Sequence, residues 1–160
     1  MRWLLVLMVA LVVTPAANAT FSIAITGTKV TAPGITLNGV DQTSTFTVAA
    51  TETNTGGGNT AGWNVTAASA TLTSAGKTLP ALEVTTVARG NCTGTGCVNP
   101  TNSITWPITL STTAQKIYNA TAGTGKGTVI LTGTYQVTYP ANALPGTYTA
   151  VVTLATATGP

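Results

Sequence analysis

The feature that most constrains this chain is a repeated two-residue alternation in which threonine, or another small or polar residue, separates apolar side chains. It runs through "FSIAI" (Phe21, Ile23, Ile25), "TFTVAATE" (Phe46, Val48, Ala50) and "WNVTA" (Trp63, Val65, Ala67). It continues through "LEVTTV" (Leu82, Val84), "ITWPITL" (Ile104, Trp106, Ile108, Leu110) and "TVILTGTYQVTY" (Val129, Leu131, Tyr135, Val137), and closes in "TYTAVVTLAT" (Tyr148, Ala150, Val152, Leu154). Threonine supplies about a quarter of the chain beyond residue 19. β-Branched residues lose little by standing on a pleated strand, and a period of two puts one parity inward and the other toward water. Each run therefore reads as a half-buried antiparallel strand.

Glycine, proline and asparagine punctuate these runs in "APGIT", "TGGGNTAG", "SAGKTLP", "RGNCTGTGCVNPTN", "AGTGKG" and "PANALPG". No segment beyond the first 19 residues keeps a helical period. Short strands separated by such turns predict an all-β fold, an Ig-like antiparallel β-sandwich of about seven to nine strands. The echo between "GTYQVT" and "GTYTAVVT" predicts a terminal hairpin with "PANALPG" as its loop, and "GTGKGT" predicts a second hairpin turn. Pro107 has no N–H to give a ladder, so its strand is expected at a sheet edge or a bulge.

The chain opens "MRWLLVLMVALVVTPAANA": Arg2, an apolar stretch from Leu4 to Val13, a break at Pro15 and small residues at Ala17-Asn18-Ala19. That order is the pattern of a secretory leader, too short for a membrane span, with cleavage expected between Ala19 and Thr20. The expected organisation is residues 1–19 as leader and residues 20–160 as one sandwich domain, secreted to the cell exterior with no transmembrane anchor in the mature chain. Cys92 and Cys97 lie in "NCTGTGC". With no histidine and no further cysteine to complete a zinc shell, and with export expected, they predict a local disulfide.

Charge excludes several functions. Only 6% of residues are charged, against roughly a quarter in ordinary domains. Lys29, Lys77, Arg89, Lys116 and Lys126 are scattered, so no cluster exists to displace counterions from a nucleic acid. Asp41, Glu52 and Glu83 stand apart in sequence. Calcium loops concentrate oxygen ligands within a dozen residues, and histidine-dependent triads cannot be built here. No catalytic residue, cofactor or metal is expected. Glu52, at the end of its run, reads as a solvated rim carboxylate.

The aromatics remain. Burying an indole removes on the order of 150–250 Å² from water, so Trp63 and Trp106 are expected as core filler. The stretch "GGGNTAGWNVTA", Gly56 to Ala67, resembles the first tryptophan motif of WxL-type bacterial surface domains, in which a Gly-rich turn precedes a Trp-x-Leu/Val strand. The closing stretch "PANALPGTYTAVVTLATATGP" is similar to that family's last strand, where a tyrosine-threonine pair precedes a second Trp-x-Leu. Trp63 and Val65 match the first motif and Tyr148 the closing strand. Where the family has its second tryptophan, this chain has Leu154 followed by Ala155 and Thr156. The resemblance implies a non-enzymatic module that attaches non-covalently to peptidoglycan or to partner surface proteins, with Trp63, Val65 and Tyr148 as motif or binding residues. The alternative expectation is a structural subunit of a pilus or spore-coat-like assembly that polymerises by strand exchange.

Overall fold

A computed structural model describes residues 6–13, 21–25, 29–32, 35–54 and 61–160. The Ala19–Thr20 junction and the whole "GGGNT" run lie outside these residues. All regular structure among the described residues is β. The strands are β1 (Val6–Val13), β2 (Phe21–Ile25), β3 (Lys29–Ala32), β4 (Gln42–Asn54), β5 (Trp63–Ser69), β6 (Thr73–Ser74) and β7 (Lys77–Thr78). They continue with β8 (Glu83–Arg89), β9 (Thr93–Val98), β10 (Ile108–Thr109), β11 (Gln115–Ala120), β12 (Lys126–Tyr139) and β13 (Thr147–Thr158).

They form two sheets packed as a sandwich. One runs β11-β5-β13-β1-β3, with the small β6–β7 hairpin beside β13. The other runs β10-β8-β12-β4-β2, with β9 along β12. Pairing is antiparallel except between β1 and β13, which run parallel. The expected two-sheet sandwich is present, in more strands than expected, three of them 12 to 14 residues long. The short β6 and β7 fall in the turn-rich segment around "SAGKT", and β10 is the short strand within the "ITWPITL" run.

Alternation decides what is buried. In β4 the even positions Phe46, Val48 and Ala50 face inward while Thr43, Thr45 and Thr47 are exposed. In β12 the odd positions Val129, Leu131, Tyr135, Val137 and Tyr139 do the same. Tyr135 and Phe46 are register partners whose rings stack at 5.4 Å and 12°, an aromatic cross-strand pair that favours this register. The Tyr135 ring also covers Gly133, where an added Cβ would lie 2.9 Å from it.

Two expected hairpins are instead crossings between the sheets. β11 and β12 lie in opposite sheets, and so do β12 and β13. Hairpins and sheet-crossing arches use the same glycines and prolines, and both keep the apolar parity inward, so turn chemistry does not separate them. In the second arch, Ala143 N–H donates to Pro140 O (2.8 Å), Ala141 N–H to Asp41 Oδ1 (2.7 Å), and Tyr148 Oη to Leu144 O (2.8 Å). A tyrosine hydroxyl bonded to backbone just upstream is the tyrosine corner of Greek-key sandwiches.

The first arch carries the strongest tie. Trp63 is fully buried, and its indole N–H donates to Gly125 O at 2.9 Å. Asn54 Nδ2 donates to the same carbonyl at 3.3 Å. Gly125 sits at φ +76, and a Cβ there would collide with the indole and with Ala120, so only glycine fits. Trp106, expected in the core, is half-buried: it packs against the core's margin and donates from its indole to Ile117 O at 3.0 Å. Its strand shrinks to β10 after the cis Trp106–Pro107 bond, and β10 is an edge, as the proline required.

Cys92 and Cys97 are bonded. The segment they bridge is the edge strand β9 rather than a free loop. Gly127, at φ +105, lets it lie close, since a Cβ there would fall 2.7 Å from Cys97 Cβ.

Trp63→Ala should lose about 3–5 kcal/mol of stability in urea unfolding, because it empties a fully buried site beside Tyr118 and Gly125. Reducing the disulfide should cost only about 2 kcal/mol, the loop-closure entropy of so short a ring. A larger loss on reduction than on Trp63→Ala would contradict this ordering.

Candidate functional site

The three residues expected as motif or binding positions are all interior: Trp63 at 0%, Val65 at 2% and Tyr148 at 1% exposure. Trp63 and Val65 stand on β5, with Tyr118 tilted against the indole at 6.0 Å. β13 runs beside them, with Thr158 opposite Trp63, Thr156 opposite Val65 and Leu154 opposite Ala67. The first motif and the closing strand are thus neighbours in one sheet. Their side chains build the sandwich.

The outward parity forms the most regular exposed feature of the described residues. On the outer face of the second sheet, Thr43 lies opposite Thr138, Thr45 opposite Gln136, Thr47 opposite Thr134 and Thr53 opposite Thr128. β8 extends the rows, with Thr86 opposite Thr134 and Glu83 opposite Gln136. Successive members of one strand's row repeat at roughly 6.6 Å and adjacent strands at about 4.8 Å. Thr53 and Thr128 hydroxyls share a hydrogen bond at 3.2 Å. The face offers hydroxyl donors and acceptors over a ribbon three strands wide, interrupted where Ala49 and Ala88 flank Thr132 and where the exposed Ile130 lies opposite Thr51, with Glu83 as its one carboxylate. Parity alone identifies which threonines point outward. Which strands lie side by side, and so which threonines form rows, is set by tertiary pairing that parity does not encode.

The carboxylates occupy three unlike settings. Asp41 accepts the Ala141 N–H in the second arch, and Glu83 Oε1 accepts the Thr109 hydroxyl at 3.3 Å. Glu52, expected at a solvated rim, is buried at 1% exposure. β4 continues to Asn54, and β2 flanks it on one side and β12 on the other, with Ile23 and Val129 opposite Glu52. The strand end that sequence suggested is therefore a covered interior position. The signal was present, since Glu52 continues the inward parity of Phe46, Val48 and Ala50. Neither carboxyl oxygen has a hydrogen-bond partner. Burial alone lifts its pKa from an ordinary 4.5 to about 8, so it is chiefly neutral at pH 7.

No group of three metal-ligating side chains exists among the described residues. Among them, too, no helix is long and apolar enough to cross a membrane. An open groove of about 260 Å³ is lined by Ser69, Ala70, Thr71, Ala81, Leu110, Ser111 and Thr112. It is below the usual size of a small-molecule site and brings together no titratable group. No family model matches the sequence, and no curated protein matches it.

Glu52 gives a testable pH dependence. Its folded pKa, about 8, lies above the unfolded 4.5, so the folded state holds the proton more tightly. The stabilisation is complete below the unfolded value and is lost as pH rises through the folded one. Stability should fall by roughly 3 kcal/mol between about pH 4 and pH 7. Glu52→Gln should flatten that profile in urea melts at several pH values; an unchanged slope would show that Glu52 is not the group responsible.

Proposed function

We propose that this chain is a secreted, non-enzymatic module of the bacterial cell surface, of the WxL-like type, that associates non-covalently with peptidoglycan or with partner surface proteins. The observation that carries the reading is the threonine-rowed outer face of β4, β12 and β8. A glycan strand is itself a ribbon of hydroxyl and amide groups. A sheet face rich in threonine hydroxyls matches it by hydrogen bonding, without the desolvation cost of charged groups. The scarcity of charge supports the same view, because binding to an uncharged ribbon needs no electrostatic steering.

The WxL resemblance adds a second line of support. Trp63, Val65 and Tyr148 serve as architecture in this reading, and the loss of the second tryptophan leaves the hydroxyl face as the contact surface. Chemistry by a carboxylate pair finds no support, because Asp41 accepts a backbone N–H, Glu83 accepts a threonine hydroxyl and Glu52 is buried. A subunit of a pilus or spore-coat-like assembly is the competing reading. It predicts concentration-dependent oligomers in gel filtration, where the wall-module reading predicts a monomer.

Co-sedimentation with purified peptidoglycan at moderate salt tests the proposal. The protein should pellet with the polymer. Combining Thr47→Val with Thr134→Val should weaken pelleting by about tenfold while shifting stability by no more than about 0.5 kcal/mol, as surface changes do. Pelleting unaffected by the pair would move the contact to another face, and no pelleting of the unaltered protein would exclude the wall as ligand.

A further inference from the structure

The first sheet contains a strand that the sequence marks for removal. β1 is drawn from the expected leader, yet it lies between β13 and β3, parallel to β13 from Val6 opposite Thr147 to Val13 opposite Leu154. On its other side it pairs antiparallel with β3, Leu7 opposite Ala32 through Ala10 opposite Lys29. Processing after Ala19 would empty this place. β13 would then expose an unpaired edge from Thr147 to Leu154, and β3, which pairs with β1 alone among the described strands, would lose its neighbour.

We propose that the β13 edge from Thr147 to Leu154 is a strand-acceptor site, held by β1 until processing and then filled by an extended segment of a partner surface protein running parallel to β13. The proposal rests on the leader and partner-protein readings above.

Geometry defines the occupant. Ala70 N–H donates to Val151 O at 3.0 Å, so the Val151 peptide groups point toward the β5–β6 side. Alternation turns those of Ala150 and Val152 to the opposite side, toward β1. The edge thus offers N–H and C=O groups at Tyr148, Ala150, Val152 and Leu154, whose side chains are buried in the core. The outward residues beside them are Thr147, Thr149, Val151 and Thr153. β4 and β12 carry threonine at most of their outward positions and β13 carries it at Thr147, Thr149 and Thr153, whereas β1 is apolar at all eight positions. A segment alternating apolar with threonine or serine matches the sheet better than β1 does. An unpaired edge of this length is what native sheets cover, and adding a strand from another polypeptide is a recurring way to cover it.

The test uses the protein as a bacterial host exports it. Intact mass reports whether residues 1–19 are gone. Fluorescence anisotropy then follows a fluorescein-labelled peptide alternating valine and threonine over about eight residues, with lysines at its ends. The processed protein should bind the peptide at least about tenfold more tightly than the unprocessed chain, whose acceptor edge is occupied. N-methylating the peptide amides of one parity should weaken binding by about tenfold or more, and of the other parity much less, since only one parity faces β13. Ala150→Pro, which removes an N–H offered to the occupant, should abolish capture. The N-methylated peptides make the same test on unaltered protein should that variant not fold.

A mass that retains residues 1–19 contradicts the leader reading and the vacancy with it. A processed mass with no peptide capture contradicts the acceptor site alone, as would closure of the edge by β3. Equal loss from both N-methyl parities contradicts strand pairing. Self-association of the processed protein that the peptide displaces would assign the edge to a second copy and overturn the partner assignment.

Discussion

The carbonyl of Gly125 is the point on which the sandwich depends. It accepts from the Trp63 indole on β5, in one sheet, and from the Asn54 amide on β4, in the other. It lies in the arch that carries the chain from β11 to β12, so one backbone oxygen ties both sheets and the crossing between them. Buried donors that lose their acceptor keep the full desolvation penalty, which makes this tie costly to break. The reason for a tryptophan at the end of a Gly-rich run is therefore structural. Its bulk fills the interior where the sheets converge, and its N–H fixes the arch.

Further ties secure the neighbouring ends of β5 and β13. Gly159 N–H donates to Gly62 O at 3.1 Å, and Asn64 Nδ2 donates to Gly159 O at 2.7 Å. Lys116 Nζ reaches Pro160 O at 2.6 Å. The closing strand is thereby held in register with the Trp63 motif. The inward parity is committed to packing, and threonine carries much of the outer parity of β4 and β12.

Much of this was legible in the sequence because burial follows a two-residue period. Phe46, Val48, Trp63, Val65, Tyr135 and Tyr148 were all placed inward by parity, and the Cys92–Cys97 pair by spacing and compartment. β11 was hidden because its register shifts between Lys116 and Tyr118, which buries both Ile117 and Tyr118 and breaks the alternation. The two arches were hidden because a turn's residues encode its bend and not the sheet its exit joins. At Glu52 parity outranks polarity: the strands on either side leave it no route to water. β1 was legible only as a leader, since eight consecutive apolar residues carry no alternation to mark a strand.

Hydrogen exchange at the Trp63 indole, followed by NMR with Trp106 as internal comparison, tests the central tie most directly. If the Trp63–Gly125 bond joins the sheets, the Trp63 indole N–H exchanges only through global unfolding, with a protection free energy equal to that from urea melts, while the half-buried Trp106 exchanges through smaller openings. Exchange of Trp63 as fast as Trp106, well below the global value, would show that the indole opens locally and that the sandwich is held elsewhere.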